Sequence, residues 1–103
     1  MADPMRIRAN LVGDSTEVKV LMNHEMETGQ RKDAQGKTVP AWFIQNVTAT
    51  YNGKTVLSAQ WGPAVAKHPF LSFKFKGGAQ GEKVQITWTD NRGEKRTDEA
   101  TIS

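Results

Sequence analysis

The sequence predicts an all-β chain of antiparallel sheets packed face to face, and three features carry that expectation. Apolar and polar residues alternate with period two along most of the chain. No long stretch keeps a helical period, and turn residues recur between the alternating runs. Each run has one apolar face, which must be covered by a second sheet; an open barrel is the competing closure.

The elements follow in order. Residues 5–12 set Met5, Ile7, Ala9 and Leu11 against Arg6, Arg8 and Asn10. Residues 16–22 place Val18, Val20 and Met22 opposite Glu17 and Lys19. A charged, glycine-punctuated stretch then runs from His24 to Thr38. Beyond Pro40, residues 41–52 put Phe43, Val47, Ala49 and Tyr51 on one face, with Trp42 and Ile44 on the other. Its start is apolar on both faces, which suits a central strand or one that meets a partner. Asn52-Gly53 is a strong hairpin signal, because both residues tolerate the positive φ of a type I′ turn.

The return run at 54–62 carries Leu57, Ala59 and Trp61, after which Pro63 and Pro69 bar continuous pairing. Residues 70–78 turn Leu71, Phe73 and Phe75 inward against Ser72, Lys74 and Lys76; residues 81–90 do the same with Val84, Ile86 and Trp88. Asn91, Arg92 and Gly93 fit a short hairpin loop, and residues 95–103 close the chain as a weaker strand. Seven short strands without a helix fit a seven-stranded antiparallel immunoglobulin-like sandwich, a single domain over 1–103. With no cysteine pair to staple it, Trp61 and Trp88 are its expected core anchors, each able to bury about 200 Å2.

Composition narrows function mainly by exclusion. A chain of 103 residues supports one core, and 37% apolar with 24% charged residues reads as soluble and globular. No window reaches the roughly 18 apolar residues of a membrane span, and the N-terminal residues lack a signal-peptide run. Composition by itself therefore points to the cytoplasm. The absence of cysteine excludes disulfides, thiolate metal sites, a cysteine nucleophile and any sulfur adduct on this chain's own thiol.

The formal net charge is +3, and between Asp33 and Glu82 no acid occurs while Lys37, Lys54, Lys67, Lys74 and Lys76 do. Scattered outward lysines are the bland explanation; attraction for an acidic partner is the functional one. No docking motif for nucleic acid accompanies these charges.

Met22, His24 and Met26 share one side of an extended strand, and thioether with imidazole suits Cu(I). Met22 also continues the inward face of Val18 and Val20, which makes it core. His24 with Glu27, or His68 with a hydroxyl, are the available acid–base pairings, but no nucleophile elbow, phosphate-binding glycine loop or metal-ligand spacing accompanies them. The 24–38 stretch alternates Glu25, Glu27, Arg31, Lys32, Asp33 and Lys37. It reads either as a solvated connection or as the polar rim of a protein interface whose apolar centre is Trp42 and Phe43. Arg31 and Asp33 are also placed to form a local ion pair that fixes the loop.

The stretch HEMETGQRKDAQGKTVPAWFI, with His24, Met26 to Gly29, Arg31 to Asp33, Gly36-Lys37 and Pro40, resembles the loop of the SoxZ family. GPAVAKHPFLSFKFKG resembles that family's later segment, with His68 where relatives have Asn, and the resemblance covers nearly the whole chain. It implies an immunoglobulin-like, non-catalytic subunit without cofactor that pairs with SoxY in the carrier complex of thiosulfate oxidation. The sulfur intermediate then sits on a cysteine of SoxY's flexible arm, and other enzymes of the cycle visit in turn. It also implies a periplasmic location reached by co-export with SoxY, which overrides the cytoplasmic expectation, and neither nucleic acid nor membrane as partner. The expected SoxY surface is Trp42, Phe43 and Ile44, and the expected enzyme- or arm-facing surface is His24, Glu27, Arg31 and Asp33. Exposed sandwich edges leave self-association of the isolated chain open. The rival reading is a periplasmic copper-binding sandwich using Met22, His24 and Met26.

Overall fold

In the computed structural model, which describes residues 3–103, seven strands form two antiparallel sheets and no helix is present among the described residues. The strands are β1 (Arg6–Val12), β2 (Ser15–Leu21), β3 (Ile44–Tyr51), β4 (Lys54–Gln60), β5 (Phe70–Lys76), β6 (Lys83–Asp90) and β7 (Lys95–Thr101). One sheet has the order β1-β2-β5, the other β4-β3-β6-β7. The fourth strand thus lies beside β3, where a constant-type immunoglobulin domain would place it in the first sheet.

Turn chemistry sets the registers. Asn52 and Gly53 have φ of 51° and 77°, the type I′ geometry that Asn-Gly predicts. At the far end of β5, the Thr16 hydroxyl donates to the Gly77 carbonyl at 2.7 Å, and Gly78 lies so close that a Cβ there would run into Thr16 Oγ1. The C-terminus closes one side of the sandwich: Leu11 N–H donates to the Ser103 carbonyl and Ser103 N–H to the Ala9 carbonyl, both at 3.0 Å.

The core lies between the sheets. Val18 and Val20 of β2, Val47 and Ala49 of β3 and Val84 and Ile86 of β6 are fully buried, with Trp88 and Met22 beside them. Met22 is therefore a core residue, as its phase with Val18 and Val20 indicates. Trp88 anchors the interior, whereas Trp61 is half-buried at its margin.

One face assignment is corrected. Ile44 was expected opposite Val47 and Ala49, yet all three are buried on the same side. A β-bulge between Ile44 and Asn46 inserts Gln45 as an extra residue against β6, which reverses the alternation at that point. The bulge turns Ile44 into the core and removes it from any partner-facing surface.

Candidate functional site

The end of the sandwich that carries the β2–β3 connection holds the buried polar residues His24 and Asp90. The inward alternation of β2 does not stop at Leu21: Met22, His24 and Met26 are all buried, with Asn23 and Glu25 exposed between them. The backbone keeps this segment extended by pairing it with the lead-in to β5. Met22 N–H donates to the Pro69 carbonyl and His68 N–H to the His24 carbonyl, each at 2.9 Å. The extension ends at Met26, whose φ of 52° bends the chain away.

His24 is 4% exposed and sits between two indoles, Trp42 at a centroid distance of 4.8 Å and Trp88, edge-on, at 5.1 Å. Its Nδ1 accepts the backbone N–H of Met26 at 3.0 Å, which leaves the ring proton on Nε2, 3.1 Å from Asp90 Oδ2. The same oxygen accepts the Trp42 indole N–H at 2.8 Å. Asp90 Oδ1 accepts the backbone N–H groups of Arg92 and Glu94 at 3.0 and 2.9 Å. Burial alone would raise the Asp90 carboxyl; the donors from His24, Trp42, Glu94 and Arg92 outweigh it and hold the group below its ordinary value.

Around this buried latch lies an open groove of about 720 Å3, lined by Glu25, Glu27, Arg31, Trp42, Lys67 and Arg92 with Met26 and Val39. The Arg92 guanidinium stacks over the Trp42 ring, 4.3 Å from its centroid. Lys67 pairs with Glu25 at 2.9 Å and Arg31 with Glu27 at 2.8 Å. Each carboxyl is held below its ordinary range, first by the hydrogen bond from its cation.

The long connection is itself organised as a short arm. Glu27 and Trp42 exchange both backbone hydrogen bonds at its base, and Lys32 bridges Thr38 further out. At the tip, Asp33 Oδ1 accepts the N–H groups of Gln35 and Lys37 at 2.9 and 3.0 Å, with Gly36 at φ 79°. Arg31 is paired with Glu27, so the expected Arg31–Asp33 pair gives way to an i,i+4 pair.

The residues singled out in sequence therefore separate into groups. Glu27, Arg31 and Trp42 come together on the groove, and Asp33 stands apart at the arm's tip. Phe43 is half-buried, its N–H donating to Asn91 Oδ1 at 2.9 Å. His24 and Ile44 were expected on a surface and lie in the interior, at 4% and 0% exposure. His24 pairs with Asp90 and not with Glu27, because the alternation of β2 carries its ring inward while Glu27 stays at the groove.

Sequence reasoning missed Asp90 and Arg92. Asp90-Asn91-Arg92-Gly93 is a β-turn closed by Gly93 N–H to the Asp90 carbonyl at 3.2 Å. The available signal was Asp at the first and Gly at the fourth position of that turn.

This geometry restricts the chemistry. Both nitrogens of His24 are engaged inside the protein, so the ring offers no free lone pair to a substrate or a metal. Met26 Sδ accepts the Ile44 N–H at 3.3 Å, and Met22 is packed in the core. The Met-His-Met arrangement thus serves packing and internal hydrogen bonding. No cluster of three or more His, Cys, Asp or Glu with metal-binding geometry occurs among the described residues.

Fold and site together define a small immunoglobulin-like sandwich domain, latched by a buried polar cluster at one end and presenting a charged groove beside it. The chain belongs to the SoxZ family: the family of sulphur oxidation protein SoxZ matches residues 5–101, nearly the whole sequence. Its role accordingly lies in sulfur oxidation. No protein of curated function matches the chain significantly.

Among solved structures, a superoxide reductase in the oxidised state is similar at TM-score 0.64 and 15% identity, covering 99% of this chain and 89% of that one. Protein PH1083 from Pyrococcus horikoshii OT3, described as hypothetical, matches at TM-score 0.63 and 16% identity with the same 99% and 89% coverage. A superoxide reductase (neelaredoxin) from Archaeoglobus fulgidus in its reduced form matches at TM-score 0.60 and 19% identity, covering 97% and 86%. At these identities the likeness is one of fold alone.

Proposed function

We propose that this chain is the non-catalytic scaffold subunit of a sulfur-compound carrier, paired with a SoxY-type subunit that bears the sulfur intermediate on a cysteine. The observation that carries the reading is a SoxZ-family chain without any cysteine, whose buried titratable residues are spent on internal hydrogen bonds. Such a chain holds no sulfur adduct on a thiol of its own; a binding or supporting role fits both its composition and its interior.

Within this reading, the groove beside Trp42 is where the partner's arm or a visiting enzyme is received. Glu27, Arg31 and Trp42 present side chains to it, and His24, Asp33, Phe43 and Ile44 support it from the interior, the strand and the arm's tip. A periplasmic site of action, reached together with the partner subunit, is part of the same proposal.

The test is co-expression with the cysteine-bearing subunit from the same organism, followed by size-exclusion chromatography and native mass spectrometry. A one-to-one complex whose mass shift on exposure to thiosulfate-oxidising enzymes maps to the partner's cysteine is expected. Separate elution of the two chains would overturn the assignment.

A further inference from the structure

Among the described residues, the three large apolar side chains that remain exposed are Val12 at 49%, Leu21 at 42% and Phe70 at 62%, and all of them lie on one surface. That surface is the outer face of the β1-β2-β5 sheet. Leu21 and Phe70 are direct cross-strand partners, and Arg6 pairs with Leu21 from the other side, so the three residues form one continuous row. The next row is Arg8, Lys19 and Ser72; beyond it come Asn10, Glu17 and Lys74, and then Val12, Ser15 and Lys76.

These outward positions carry five cations against the single carboxylate of Glu17, a net of +4. That exceeds the +3 of the whole chain, so the rest of the molecule is slightly acidic and the positive charge is concentrated here. Glu17 is shared between Lys19 at 3.6 Å and Lys74 at 4.0 Å, while Arg6, Arg8 and Lys76 have no carboxylate partner among the described residues. Lys74 and Lys76 are the part of the acid-free middle segment that the fold assembles into a patch.

An exposed pair such as Leu21 and Phe70 faces away from the core and adds no more than a cross-strand contact to the sandwich, which leaves most of its apolar surface in water. A face with an apolar contact at one end and unpaired cations across it complements a protein surface of opposite sign. We infer that the outer face of the β1-β2-β5 sheet is the docking surface for the cysteine-bearing partner subunit, which meets it with an acidic surface and an apolar contact opposite Leu21 and Phe70. The inference rests on the carrier reading above and assigns to that partner a face distinct from the Trp42 groove. A second copy of this chain is disfavoured as the occupant, because an isologous contact would set the positive faces against each other.

The partner subunit is titrated calorimetrically with the wild-type chain, with Phe70→Glu, with a Lys74→Glu/Lys76→Glu double variant, and with Lys54→Glu on the other sheet as control. Phe70→Glu and the double variant should each weaken binding at least tenfold, and the double variant should also flatten the salt dependence. Lys54→Glu should bind as wild type. Circular dichroism confirms folding, and Phe70→Ser replaces Phe70→Glu if the latter does not fold. Wild-type binding that both face variants retain overturns this inference and leaves the carrier reading standing. Failure of the wild-type chain to bind the partner overturns both. Tighter binding to phosphatidylserine vesicles than to the partner subunit, lost in the double variant, would assign the face to a membrane surface and overturn the inference.

Discussion

His24 and Asp90, 66 residues apart in sequence, meet inside the sandwich with Nε2 and Oδ2 separated by 3.1 Å. Because the same oxygen takes the Trp42 indole N–H, one carboxylate joins the extension of β2, the approach to β3 and the end of β6. The latch ties the two sheets together at the end where the longest connection leaves the fold.

Removing that carboxylate should be costly. Asp90→Ala leaves the His24 and Trp42 donors and two backbone N–H groups without their acceptor, and the expected loss is about 2–4 kcal/mol of stability. Urea denaturation of the variant against wild type measures it.

The same group shapes the acid limb of stability. Its folded value is depressed, so its contribution is fully present above the unfolded carboxylate value of about 3.9 and fades as pH falls through the lower folded value. Asp98 acts with the same sign, held down first by Arg96 and further by the Met5 N–H. Stability of the wild-type chain should therefore fall below about pH 4, and an Asp90→Asn variant should show a shallower fall. Thermal melts between neutral and acid pH check the slope.

Trp88 offers a different test, because its indole N–H has no hydrogen-bond partner among the described residues. Its role is volume and the edge-on contact with His24. Trp88→Phe should cost much less than Trp88→Ala, for which about 3–5 kcal/mol is expected. Comparable losses in the two would point to a polar role for the indole.

Gly78 is constrained twice over. Its φ of 103° suits glycine, and a side chain there would meet the buried Thr16 hydroxyl. Gly78→Ala should destabilise by about 1–3 kcal/mol. Gly36→Ala, whose Cβ would meet open space, should cost less. Chemical denaturation of the pair distinguishes steric conflict from backbone strain alone.

Arg31 tests the groove. Its own side chain is exposed although that of its partner Glu27 is largely covered, so Arg31→Gln should lower the melting temperature only slightly. Where the groove receives the partner's arm or an enzyme, the same variant should slow that association at low salt, read by stopped-flow kinetics.

Most of the strands were legible because each exposes one face to water and buries the other, which writes the alternation directly into residues such as Val84, Ile86 and Trp88. Ile44 was misread because a bulge reverses the phase without leaving a mark in composition. His24 was visible as an unusual residue, yet its partner was not. The contact with Asp90 is made by the packing of two sheets, and local spacing carries no record of which strand ends become neighbours. Trp42 and Arg31 were legible as surface candidates from their place in a long polar connection. The basic outer face was half visible: Lys74 and Lys76 stood out in an acid-free segment, while Arg6, Arg8 and Lys19 joined them only through strand order.

The arm between β2 and β3 has a practical use. Its base is closed by the Glu27–Trp42 bridge and its middle by Lys32–Thr38, so the tip around Gly36 is a small ring already shut behind two clasps. Lengthening such a ring changes its closure entropy only slowly, and the sandwich beneath is insulated from what happens there. A fluorophore or affinity tag inserted at Gly36 should ride on the protein without loosening it. Set at the arm's tip, outside the groove lining and outside the basic sheet face, it would leave the residues of both surfaces unaltered.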